Sequence, residues 1–118
     1  NICSNESLMT LYATIYMSIM GKEGIKEAAQ LSYDGAHYLC EELQKTGHFH
    51  LLYEQPFFNE FCMKYDHDVD ALQQHFIHHG ILGGIKVSDD TLMFAVTEKR
   101  TKEEIDKLVA LTLNPKLF

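Results

Sequence analysis

Residues 80–101 read GILGGIKVSDDTLMFAVTEKRT, and this stretch decides the fold. Gly83-Gly84 is the only Gly-Gly pair in the chain. Glycine adopts backbone conformations that a Cβ forbids, so the pair suits a tight turn or a close approach to a ligand. Ile85 and Val87 fit a short strand, and Ser88-Asp89-Asp90 is turn chemistry. Leu92–Thr97 is apolar enough for a central strand, and Glu98-Lys99-Arg100 then sets both signs of charge at its end. Thr101 and Glu104 have the spacing of a capping box at a helix start. The helix runs to about Leu113 with Ile105, Leu108, Val109 and Thr112 facing in. The segment is a turn-strand-helix joint, and such polar joints commonly carry function in mixed folds.

Upstream, Leu8, Leu11, Tyr12, Ile15 and Ile19 fall at helical spacing, and Met9, Ala13, Tyr16 and Met20 widen the stripe. A helix apolar over so much of its circumference expects burial on more than one side. Ser4 or Asn5 suits its N-cap, and Gly21 ends it. A second helix is predicted from Lys22 to Thr46, with Ile25, Ala28, Ala29, Ser32, Ala36, Leu39 and Leu43 on its inner face. Gly24 and Gly35 each cost about 1 kcal/mol there relative to Ala, and Gly47 is a C-terminal stop. Strands are predicted over Phe49–Tyr53 and Phe57–Tyr65, separated by the break at Gln55-Pro56. Phe57, Asn59, Phe61, Met63 and Tyr65 share the more apolar face of the second strand. Asp68 caps an amphipathic helix that ends near His79, closed by Gly80. The short connection makes the first two strands antiparallel. The expected assembly is an α+β fold: a three- or four-stranded, mostly antiparallel sheet with helices packed on one face.

A chain of 118 residues, 46% hydrophobic and 23% charged, has the composition of one globular domain, residues 1–118. The net charge of −7 and the scattered cations argue against nucleic acid. No apolar run reaches about 18 residues, so no membrane span is expected. Cys3, Cys40 and Cys62 lack metal-ligand spacing, which fits reduced thiols in the cytoplasm. The opening Asn-Ile-Cys-Ser and the end just after Pro115 read as a piece of a longer chain.

His75 and His79 stand at i, i+4, a spacing that clamps a metal only if a third ligand arrives. They lie off the apolar stripe, so no metal is expected. No Gly-x-Ser-x-Gly turn is present, and Gly80–Gly84 lacks the lysine of a P-loop. Asn59, within FFNEF, is either a bonded core asparagine that pins a loop or a site residue. Arg100 is the strongest binding candidate, because a guanidinium at a strand end can grip a carboxylate with two parallel hydrogen bonds. The plainer alternative is an ion pair with Glu98 or another surface acid.

Four blocks carry a family resemblance: NICSNESLMTLYATIYMSIMGKEG at 1–24, PFFNEF at 56–61, GILGG at 80–84 and VTEKRTKEEID at 96–106. Together they resemble the C-terminal region of the glycine cleavage system P-protein, in the form of glycine dehydrogenase (decarboxylating) subunit 1. The resemblance implies the small C-terminal domain of a fold type I pyridoxal-phosphate enzyme. It implies oxidative decarboxylation of glycine with transfer of the aminomethyl group to the lipoyl H-protein. It also implies that the cofactor is bound by subunit 2, that this piece holds no cofactor and that it is inactive alone. By analogy Arg100, with Glu98 and Thr97, serves the substrate carboxylate or an interface. Asn59, Gly83 and Gly84 match family blocks as loop-shaping residues. Ile85–Thr91 is shorter than the family's usual connection.

Two alternatives remain at this level. One is an independent, non-enzymatic α+β module that dimerises through its first helix. The other is a histidine metal site. Exposed Leu8, Leu11, Ile15 and Ile19 would favour the enzyme-subunit reading over the first of these.

Overall fold

The first long helix breaks at Gly21, whose backbone (φ 62, ψ −176) no helix contains. The computed structural model describes residues 6–113, so Ser4 and Asn5 lie outside the described residues. Helix α1 (Ser7–Lys45) is thus two helical segments, 7–20 and 22–45, meeting at that glycine. Glu6 holds the N-cap position and makes no side-chain cap bond. Gly47, at φ 78, completes the C-terminal stop.

The remaining elements are β1 (Phe49–Leu51), β2 (Glu60–Tyr65), α2 (Val69–His78), β3 (Ile85–Ser88), β4 (Thr91–Ala95) and α3 (Lys102–Thr112). The four strands form one sheet in the order β1-β2-β4-β3, antiparallel throughout. β1 is shorter than the predicted Phe49–Tyr53, and β2 starts at Glu60 rather than at Phe57. Pro56 carries no N–H for a ladder, and the chain bends over residues 57–59 before pairing begins. Asn59 marks the transition: its carbonyl accepts from Val96 N at 3.0 Å, and its Nδ2 donates to Val96 O at 3.3 Å.

The face assignment of β2 holds. Phe61, Met63 and Tyr65 are buried beside Leu92, Phe94 and Val96 of the β4 segment. Leu39 and Leu43 from α1, Leu72 and Phe76 from α2, and Ile105 from α3 close the same core. Small residues in α1 permit the approach. A Cβ at Gly35 would sit 2.9 Å from Val96 Cγ1, and Ala36 is fully buried. Ile25, predicted to face in, is exposed instead.

Residues 7–20 depart from expectation. Leu8, Leu11, Tyr12, Ile15 and Ile19, predicted to be buried, are all exposed. Gly21 carries this segment away from the sheet, and no other described element covers it.

Candidate functional site

The turn at Gly80–Gly84, the end of β4 and the start of α3 enclose a cleft of about 450 Å³. Its floor includes Leu39, Phe94 and Val96, and Arg100, Glu104 and Lys107 line its α3 side.

Helix α2 builds the turn. Its C-terminal carbonyls are taken by the turn's own amides: Gly80 N donates to Ile77 O and Ile81 N to Phe76 O, each at 2.9 Å. Gly84 takes φ 74, a left-handed conformation that side chains resist. Gly83 is needed for space: a Cβ there would meet Phe76 Cδ2 at 2.6 Å. Gln73 Nε2 donates to Gly84 O at 3.1 Å and ties the far end of the turn to α2. Between these anchors Leu82 stands 92% exposed at the lip of the cleft.

The opposite wall is set by the α3 cap. Thr101 Oγ1 accepts from Glu104 N at 3.2 Å, while Glu104 Oε2 accepts from Thr101 N at 3.0 Å. This is the capping box expected from the spacing. The other oxygen, Glu104 Oε1, lies 3.6 Å from Arg100 Nη1. Both side chains are about half exposed, so this long pair holds Arg100 weakly. Thr97 acts on the backbone: its carbonyl accepts from Arg100 N at 3.1 Å and its Oγ1 from Lys99 N at 3.4 Å. Lys107 Nζ reaches His79 O at 3.5 Å and links α3 to the end of α2.

Of the residues singled out from sequence, Gly83, Gly84 and Arg100 line the cleft. Asn59 stands behind it and fixes Val96, which does line it. Thr97 shapes the turn that carries Arg100, and Glu98 is exposed and does not line the cleft. Arg100 pairs with Glu104, not with Glu98. Glu104 was legible only as a capping residue. Its second role follows from the i, i+4 spacing to Arg100. Lys107 gave no signal in sequence, since its reach to α2 is purely tertiary.

A lysine that forms an imine with pyridoxal phosphate must shed its proton, which desolvation favours and carboxylates oppose. Lys45, Lys86 and Lys102 are all held above the ordinary lysine value, first by hydrogen bonds to Glu42, Asp70 and Asp106 respectively. Lys107, in the cleft, is exposed and turned to a backbone carbonyl. Lys45, Lys86 and Lys102 are thus ill suited to imine formation. Burial, then His79 and His78, push His75 below the usual histidine value. His75 and His79 approach to 4.5 Å between ring centres. Among the described residues, no group of three or more His, Cys, Asp or Glu side chains could hold a metal ion. No described helix is long and apolar enough to cross a membrane.

The family model of the glycine cleavage system P-protein matches residues 1–112. The chain belongs to this family. It is 43% identical over 116 residues to the probable glycine dehydrogenase (decarboxylating) subunit 1 of Desulfitobacterium hafniense, covering 93% of this chain and 26% of that one. The corresponding protein of Carboxydothermus hydrogenoformans is 45% identical over 115 residues, with 92% and 26% covered. A crystal structure of glycine decarboxylase (P-protein) of the glycine cleavage system, in inhibitor-bound form, matches with a TM-score of 0.84 at 29% identity. That match covers 94% of this chain and 26% of the other. The chain therefore spans about a quarter of the P-protein relatives it matches.

Proposed function

We propose that this chain is the small C-terminal domain of a subunit 1 in a split, pyridoxal-phosphate-dependent glycine dehydrogenase of fold type I. The observation that carries the reading is the P-protein family match over residues 1–112, with relatives named subunit 1 at 43–45% identity. The whole enzyme decarboxylates glycine oxidatively and passes the aminomethyl group to the lipoyl H-protein. Pyridoxal phosphate is the electron sink of that chemistry and is held by subunit 2. This piece alone is inactive, and its place is in a cytoplasmic heteromer.

Within that assembly the cleft beside Gly80–Gly84 supplies Arg100. Its guanidinium grips the substrate carboxylate or a carboxylate of the facing subunit. Glu104 keeps the side chain near the cleft without neutralising it in a tight pair. Thr97 holds the backbone from which it projects, and Glu98 serves the surrounding surface. Asn59, Gly83 and Gly84 keep the cleft walls in place. The exposed first helix favours this reading over an independent module, because a self-sufficient domain rarely leaves such a large apolar surface open.

The test is reconstitution. Full-length subunit 1 is combined with subunit 2, pyridoxal phosphate and lipoylated H-protein, and glycine-dependent carbon dioxide release is followed. Arg100→Ala is expected to lower the rate at least tenfold or to weaken subunit assembly, with Arg100→Lys only partly restoring it. Absence of glycine decarboxylation in the unaltered assembly overturns the proposal. Unchanged rate and assembly with Arg100→Ala overturn the role given to that residue.

A further inference from the structure

The segment SLMTLYATIYMSIM, residues 7–20, contains no charged side chain. Successive residues of a helix are rotated by about 100°. On that wheel Leu8, Leu11, Ile15 and Ile19 mark one side, Tyr12 and Tyr16 the next, and Met9, Ala13 and Met20 lie further round. Thr10, Thr14 and Ser18 fill the remaining strip. Their hydroxyls are turned back onto the helix: Thr10 Oγ1 donates to Glu6 O at 2.9 Å, Thr14 Oγ1 to Thr10 O at 2.8 Å and Ser18 Oγ to Thr14 O at 2.7 Å. The one polar strip thus spends its donors internally, which removes the main cost of taking hydroxyls out of water.

An ordinary docking helix keeps a charged face for solvent, whereas a helix apolar all round is a buried one. Here every side is open, with Tyr12 67% and Ile19 79% exposed. The segment projects from the body: the radius of gyration is 17.2 Å, against about 13–14 Å for a compact chain of this length. At about 1.5 Å per residue it is roughly 21 Å long, short of the ~30 Å apolar core of a bilayer. About three quarters of each relative's length lies outside the part this chain matches, which is ample protein to surround a helix of that size.

We infer that residues 7–20 are enclosed on their whole circumference, hydroxyl strip included, by the part of subunit 1 that this chain does not contain. This rests on the reading of the chain as part of a longer subunit 1. Gly21 is then the boundary between a helix belonging to that other body and the domain built on the sheet. The occupant is the apolar interior of the same subunit, not a shallow groove on a partner.

The hydroxyl strip separates the two geometries. In full-length subunit 1, Ile15→Lys probes the aliphatic side, Met9→Lys the far side and Thr14→Lys the strip, with Thr14→Val as control. Soluble yield and thermal midpoint are measured, and subunit mass is followed across a wide concentration range. Enclosure predicts that all three lysine variants lose soluble protein or several degrees of thermal midpoint, while Thr14→Val stays near the parent. Normal stability of Thr14→Lys beside a damaged Ile15→Lys overturns it in favour of a groove. Tolerance of all three overturns it in favour of a free helix. A concentration-dependent dimer abolished by Ile15→Lys overturns it in favour of a second copy. These readouts require no catalysis, so a subunit that responds as expected but fails to decarboxylate glycine would sink the functional reading alone.

Discussion

Gly83 and Phe76 are fitted to each other: a Cβ on Gly83 would stand 2.6 Å from Phe76 Cδ2 and 3.0 Å from Cε2. Phe76 is fully buried among core side chains and cannot swing aside. Gly83→Ala is therefore expected to cost about 1–3 kcal/mol, the usual penalty of overpacking. A denaturant titration measures it. Combining it with Phe76→Leu should cost less than the sum of the two single changes, since the clash goes with the ring. Strict additivity would show that the two residues do not meet.

Asn59 bridges β2 and the end of β4 through its side chain and its carbonyl. Asn59→Ala should lose about 1 kcal/mol from the missing amide bond. Asn59→Leu should lose more, because Val96 O then faces an apolar group. An unchanged unfolding midpoint for both would count against the bridge.

Thr101 and Glu104 cap α3 reciprocally. Thr101→Ala should destabilise by about 1 kcal/mol, while Thr101→Ser should be close to neutral. The substitution removes the Oγ1 that accepts from Glu104 N but keeps the backbone N–H on which Glu104 Oε2 rests, so the first turn should fray while half of the capping box remains. Amide hydrogen exchange at residues 102–105 checks this, and equal protection in the parent and Thr101→Ala would contradict it.

Asp90 predicts an acid limb. Hydrogen bonds from Ser88 and Thr91, then Lys64, lower its carboxyl to about 2. An unfolded Asp titrates near 3.9. The folded value is the lower one, so this contribution is full above about pH 4 and is lost as pH falls toward about 2. Asp90→Asn should lower the thermal midpoint at neutral pH and flatten its fall across that window, so that the two curves converge toward about pH 2. A curve parallel to the parent's would refute the assignment.

Cysteine labelling offers a further check. Burial and then Glu41 raise the Cys40 thiol, and its side chain is only 5% exposed. Cys62 is partly exposed on the open face of the sheet. An Ellman-type reagent should modify Cys62 readily and Cys40 only on unfolding. Rapid labelling of both in native protein would mean that α1 opens from the sheet.

Much of this architecture was readable because local signals agreed. Alternation in Phe61, Met63 and Tyr65 set the inner face of β2, and Thr101-x-x-Glu104 marked the start of α3 within one residue. Boundaries failed where tertiary pairing decides them. Nothing local tells that residues 57–59 bend and that pairing starts only at Glu60. The site was legible residue by residue but not as an enclosure. Gly83 was marked by its rarity, yet its partner Phe76 looked like one more core aromatic. Lys107 reaches His79 O only because α2 and α3 come together. The apolar stripe of the first helix led to an expectation of burial, and these residues are exposed instead, because periodicity marks an apolar face but not what lies against it.

The two outer strands limit how this molecule can associate. β1 offers only three residues, Phe49–Leu51. β3 breaks register between Lys86 and Ser88 where it pairs with β4, and a long cation sits at that irregularity. A short rim on one side and a kinked, charged rim on the other give a recruited strand little to zip onto. Recruitment of a second copy by strand addition is thereby disfavoured, even though one face of the sheet is bare.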